Sequence, residues 1–145
     1  MDAPHLTDRK ILHIRRVAEL MYERALEKTG DTAYAEDMYM LGLLHDIGYI
    51  YGADEHGASG SALSERNGYR YASEIRYHGK EAVPDEAMTD ELMLLQWCDM
   101  SVMPGGIQVS CRERLEDIEK RYGRDSKQYR NSEAIIARLA ANGLY

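Results

Sequence analysis

The sequence contains no phenylalanine and only one tryptophan in 145 residues, so 11 Tyr and 8 Met must supply much of the bulky packing. No apolar run approaches the roughly 20 residues needed to cross a bilayer, which predicts no membrane partner. The first residues, Met1-Asp2-Ala3-Pro4-His5, lack the basic and apolar regions of a secretory leader, so a cytoplasmic location is expected. Cysteine is scarce as well. Cys98 and Cys111 form no CxxC pair and are too few for a disulfide framework or a zinc–thiolate site, so two reduced, partly buried thiols are expected. Basic residues are also in the minority, 18 against 25 acidic, for a net charge of −7. That balance argues against a nucleic acid polymer as partner, because phosphate-backbone binding requires a basic surface. A small anionic substrate is still compatible, since a metal and a few arginines can make one pocket locally positive.

What is present has the length of one ordinary domain spanning 1–145, with 44% hydrophobic and 30% charged residues. The periodicity is helical throughout. From Asp8 to Thr29, apolar side chains recur at three- and four-residue spacing, with Thr7 or Asp8 as cap and Gly30 as stop. A second helix is expected from Asp31 or Thr32 to near Gly48, burying Met38, Leu41, Leu44 and Ile47. Gly42 inside it costs about 1 kcal/mol relative to Ala, which predicts close backbone packing there. Shorter helices are expected over 56–67 and 69–78, then one introduced by Pro84 and Asp85 and ending around 99–102. Met103-Pro-Gly-Gly106 must turn. Ser110 and Glu113 form a capping box for a helix to Tyr122, and a last helix covers 126–142. No convincing β-branched alternation, repeat or low-complexity linker interrupts this pattern. The expected fold class is all-α.

Against that background six residues stand out: His13, the adjacent His45 and Asp46, His56, His78 and Asp99. They include all but one of the five histidines. Imidazole and carboxylate hold first-row divalent metals while leaving positions open for water and substrate. His13 shares a helix face with Val17, Leu20 and Met21 and so points inward. Asp46 follows Leu43-Leu44 at a helix C-terminus, where the macrodipole disfavours an anion, so a semi-buried carboxylate there calls for a cation. On the residues alone, His56 and His78 are equally compatible with helix-terminal histidines facing solvent or substrate, since each is followed by a glycine.

The order and setting of these residues resemble the HD superfamily of metal-dependent phosphohydrolases. His13-Ile-Arg-Arg-Val-Ala-Glu19 is similar to the family's first-histidine helix, and Leu43-Leu-His-Asp-Ile-Gly48 to its namesake motif. His56-Gly-Ala-Ser-Gly60 and Ile75-Arg-Tyr-His-Gly79 resemble the extra histidine segments of two-metal members, and Leu94-Leu-Gln-Trp-Cys-Asp99 the helix bearing the distal aspartate. The resemblance covers approximately 13–103, within a motif-bearing part of about 8–103; the helices of 110–143 match nothing in it and are expected to pack on the rest. It implies that His13, His45, Asp46 and Asp99 hold one divalent transition metal. His56 and His78, with Asp46 bridging, would hold a second. Fe or Mn is favoured, with Co, Ni and Zn also suited to His and carboxylate. The implied activity is hydrolysis of a phosphate ester or anhydride of a nucleotide or other small metabolite. A metal-activated hydroxide would be the nucleophile, and Asp46 or Asp99 would handle the proton.

Arg16, one turn after His13, and Lys80, just after His78, are the candidate phosphate contacts, ahead of Arg76. Glu55 is a candidate outer carboxylate orienting a ligand. Tyr49, Tyr51, Tyr69, Tyr71 and Tyr77 suit either a pocket wall or the core. The chain lacks the basic residue that often follows His-Asp in nucleotide phosphohydrolases, the Glu-Asp pair of alarmone hydrolases and the Gly-Tyr-Pro signature of cyclic dinucleotide phosphodiesterases. Its ligand set is closest to small HD hydrolases of diadenosine polyphosphates, although the chain is shorter. Two other readings share the six residues: a di-iron oxygenase, and a non-catalytic ligand-sensing domain. No feature of the chain specifies an oligomeric state.

Overall fold

A computed structural model describes residues 6–51 and 56–144. Within them the chain forms seven α-helices: α1 Asp8–Thr29, α2 Thr32–Leu44, α3 His56–Arg66, α4 Ala72–Tyr77, α5 Asp90–Asp99, α6 Cys111–Tyr122 and α7 Lys127–Ala141. The all-α class holds: two 3-10 turns, Ile47–Tyr51 and Asp85–Ala87, and a single isolated bridge between Val102 and Gln108 complete the described secondary structure.

The helix starts follow the local chemistry. Thr7, Asp31, Thr89, Ser110 and Ser126 each accept a backbone N–H in the first turn of the helix they open. At Ser110 the bond is reciprocal: Glu113 accepts the Ser110 N–H, completing the capping box. Three boundaries differ from the periodicity. The helix expected from Pro84 is only a 3-10 turn, because the true cap is Thr89, whose hydroxyl accepts the Leu92 N–H. α4 begins at Ala72 rather than Tyr69, after a turn closed by bonds to the Ser64 and Glu65 carbonyls.

α2 stops at Leu44 rather than continuing to Gly48. The His45 ring donates from Nδ1 to the Gly42 carbonyl at 2.6 Å, capturing the oxygen that the Asp46 N–H would need to extend the helix. The chain then tightens into the 3-10 turn of 47–51.

α1 and α2 form the main helix pair. Their approach is close enough that a Cβ on Gly42 would lie 2.6 Å from the Ala18 Cα, which is why glycine is tolerated mid-helix despite its entropic cost. The principal core joins Val17, Met21 and Ala25 of α1 to Met38 and Leu41 of α2, Ile75 of α4 and Leu95 and Cys98 of α5. A second cluster packs α6 and α7 on the outer side of α5 through Ile118, Tyr129, Ile135, Ile136 and Leu139, with Met93 and Trp97 alongside. Both cysteines are free and buried. Among the described residues no helix is long and apolar enough to cross a membrane.

Candidate metal centre

Five helices bring their ends or inner faces to one point. His13 comes from α1, His45 and Asp46 from the end of α2, His56 from the first residue of α3, His78 from the end of α4 and Asp99 from the last residue of α5. All six side chains singled out in the sequence meet there. His13, His45, Asp46 and His78 are buried, at 0–3% exposure, while the side chains of Asp99 and His56 keep 20% and 24%. The centre therefore opens on the side of Asp99 and His56.

The geometry is organised by Asp46, which divides its two oxygens between two groups. Oδ2 lies 3.2 Å from His45 Nε2 and 3.7 Å from His13 Nε2. Oδ1 lies 3.2 Å from His78 Nε2 and 3.5 Å from His56 Nε2. Asp99 Oδ1 closes the first group, 2.8 Å from His13 Nε2 and 3.4 Å from His45 Nε2. The residues thus form two overlapping sets able to hold a metal ion: His13, His45, Asp46 and Asp99, and Asp46, His56 and His78.

Two of the histidines share one local device. His45 and His78 are the C-cap residues of α2 and α4, with φ of −60° and −59°. Each ring donates from Nδ1 to the carbonyl three residues back, Gly42 or Ile75, at 2.6 Å. A carbonyl oxygen can only accept, so Nδ1 carries a proton and Nε2 is the nitrogen turned to the centre, the one that would ligate a metal when unprotonated.

Burial opposes a charge on His45, yet Asp46 and Asp99 outweigh it and push its pKa from 6.5 up to about 10. Asp46 is likewise opposed by burial but held well below the usual carboxylate range, chiefly by His45, with His78 and Lys10 helping. Asp99 is held low against the same burial by His13 and His45.

These residues fit a bound cation. His45 Nε2 is buried without a hydrogen-bond partner and lies beside two carboxylates without being aligned to bond either. Across the centre, His56 Nε2 and His78 Nε2 face each other at 3.1 Å, with the lone pair of His78 directed inward. Nitrogen atoms so placed repel unless a proton or a cation lies between them. The donor set of imidazole and carboxylate without thiolate matches a first-row divalent metal.

Glycines let the two outer histidines meet. A methyl on Gly48 would overlap the His56 carbonyl oxygen, and one on Gly57 would sit 2.7 Å from the Arg76 carbonyl. Gly57 stands at the start of α3, as its place after His56 suggested, and is also a buried contact point against α4.

Of the two candidate phosphate contacts, Arg16 points elsewhere. Its guanidinium donates to Gln108 Oε1 at 2.7 Å and pairs with Glu19 and Glu23 at 3.8 and 3.7 Å. Lys80 is half-buried in the turn after His78, its N–H bonded to the Tyr77 carbonyl. Glu55 lies outside the described residues, as does the Tyr51 side chain.

Lys10 was missed by the sequence reading. Its Nζ lies 3.6 Å from Asp46 Oδ2 and 4.0 Å above the Tyr49 ring, which in turn sits 4.2 Å from the His56 ring. Tyr49 is half-buried and its phenol pKa is raised by burial and by the nearby Asp46 and Asp99 charges. Lys10 stands three residues before His13, on the same face of α1, and that spacing was the available signal.

A family profile of the HD domain matches residues 11–101. The protein belongs to the HD domain family. No significant match was found among curated proteins or among solved structures.

Proposed function

We propose that this protein is a metal-dependent phosphohydrolase that cleaves a phosphate ester or anhydride of a nucleotide or other small metabolite. One divalent metal would be held by His13, His45, Asp46 and Asp99, and a second by Asp46, His56 and His78. Iron or manganese is favoured. The observation that carries the reading is the division of Asp46, with one oxygen facing each histidine pair. When bound, such a metal pair activates water and polarises phosphoryl oxygens.

The chain's own residues supply the rest. The Nδ1 bonds to Gly42 and Ile75 lock the His45 and His78 rings so that they need not reorganise during turnover. Asp46 has both oxygens facing histidine pairs and is almost fully buried, so it would be the ligand common to both metals. Asp99, whose side chain keeps one-fifth of its surface exposed, would be the carboxylate that takes a proton. Lys10 puts a cation beside the centre in a chain of net charge −7, where an anionic substrate needs one. Lys80 is the second cation proposed to contact phosphate. Arg16 is withdrawn from that role by its bonds to Gln108, Glu19 and Glu23.

The test is a panel of phosphate monoesters, nucleotides and dinucleoside polyphosphates offered to anaerobically metal-loaded protein. At least one should be hydrolysed with added Mn, Fe, Co or Ni, the activity vanishing with chelator, and Lys10→Ala should slow it. Silence across the panel, with oxygen consumed in the presence of a small organic substrate, would replace this reading by the di-iron oxygenase. Silence in both assays, with metal bound, would favour a ligand-sensing domain.

A further inference from the structure

Helix α7 lies wholly outside the span that matches the HD family, yet directed hydrogen bonds connect it to the metal centre. Arg138 donates from Nη1 to Gln96 Oε1 at 3.0 Å and from Nη2 to the Glu81 carbonyl at 2.8 Å. Gln96, fully buried on α5, donates in turn from Nε2 to the His78 carbonyl at 3.3 Å and lies 3.4 Å from that of Tyr77. Two turns earlier on the same face of α7, Asn131 Oδ1 accepts the Glu81 N–H at 3.1 Å. Glu81 is thus gripped at both its N–H and its C=O by one helix. The segment so held runs from the candidate ligand His78 through Gly79 and Lys80.

Two features set this clamp apart from an ordinary surface contact. No acidic side chain pairs with Arg138 among the described residues; the guanidinium, whose pKa burial lowers, donates only to neutral oxygens that lead back to the His78 turn. A Cβ on Gly79 would meet nothing within 4 Å, so open space borders the turn at that residue and the bonds from α7 and α5 reach it on the backbone. The ring of His78 is fixed by the Ile75 carbonyl, while its peptide is fixed by Gln96. An amide polarised on its oxygen by a cation is a stronger donor from its nitrogen.

We propose that Arg138, acting through Gln96, and Asn131 are positioning residues for the His56–His78 half of the centre and for the Lys80 side chain. On this account α7 is part of the working site. The proposal deepens the two-metal reading and rests on it for its metal-binding consequence, whereas its effect on the 78–81 turn does not depend on any metal.

The experiment compares wild type with Arg138→Met, Gln96→Met, the double variant, and Arg130→Met as a control on the same helix, since among the described residues Arg130 donates to the Asp125 carbonyl and not to the 78–81 turn. In metal-free protein, amide exchange at Lys80 and Glu81 should accelerate about tenfold or more in Arg138→Met and stay unchanged in Arg130→Met. In anaerobic Mn titrations the second equivalent should weaken about tenfold in Arg138→Met, at the lower end for residues that orient ligands indirectly, while the first stays within about twofold. In the Mn titration the double variant should be no worse than Gln96→Met alone, because Arg138 reaches the His78 carbonyl through Gln96, whereas its direct bond to the Glu81 carbonyl adds to the exchange rate. Wild-type exchange rates in Arg138→Met would overturn the proposal, as would equal weakening of both ions or additive effects on the affinity for the second ion. If wild type takes up only one ion, the two-metal reading fails and the exchange rates alone decide the positioning claim.

Discussion

Metal uptake by this centre should expel a proton. His45 Nδ1 is committed as donor to the Gly42 carbonyl, so a further proton can sit only on Nε2, the atom a metal would need. The carboxylates of Asp46 and Asp99, 3.2 and 3.4 Å away, favour that proton enough to overcome burial and raise the pKa to about 10. At pH 7 the protonated ring is then the prevailing form, and a metal must displace its Nε2 proton to bind. Affinity should therefore rise about tenfold per pH unit from this one group between pH 7 and 9, then level off. The assay is anaerobic Mn calorimetry at pH 7 in buffers of different ionisation enthalpy. The slope of observed enthalpy against buffer enthalpy should correspond to at least about one proton released per chain. A slope of zero, with affinity flat from pH 6.5 to 9, would mean that His45 is neutral in the free protein and would refute the reasoning.

The same groups predict how the metal-free fold responds to pH. The folded pKa of His45 lies above its ordinary 6.5, so its contribution is complete below that value and is lost as pH rises toward about 10. Asp46 and Asp99 are held below the ordinary 3.8, so theirs is present above it and lost as pH falls through the lowered values. Melting of chelated protein should consequently peak between about pH 4 and 6.5 and decline on the alkaline side; a maximum at pH 9 would contradict the shift. Gly48→Ala should destabilise by about 1–3 kcal/mol through overpacking against the His56 carbonyl. It should also weaken the second metal equivalent in the Mn titration, and normal stoichiometry and affinity there would show that α3 can give way without moving His56. Ser110→Ala removes the capping box of α6 and should cost about 1 kcal/mol in denaturant unfolding. Because α6 carries no candidate ligand, metal content should not change, and a loss of metal would link the C-terminal helices to the centre by a route other than Arg138.

Much of this protein was determined by its sequence alone. The 3.6-residue periodicity, the capping residues and the absence of β-branched alternation specify an all-α chain, because these are properties of neighbours a few positions apart. The six clustered residues were legible for a related reason: His and Asp are rare on apolar faces, and a His-Asp pair following Leu43-Leu44 is costly without a cation. Local chemistry was misjudged at three helix boundaries, most clearly where the His45 ring takes the Gly42 carbonyl and ends α2.

Tertiary structure alone decided the rest. Lys10 and Arg16 lie three residues either side of His13, and helical spacing cannot rank them. Packing gives Arg16 to Gln108, far along the chain, and leaves Lys10 against Asp46. The division of the Asp46 oxygens and the bonds from Arg138 to the His78 turn are likewise contacts between separate helices. Sequence spacing dictates which side chains share a face of one helix; which of them meet is settled by how the helices pack, where close approaches such as Gly42 on Ala18 and Gly48 on His56 set the distances.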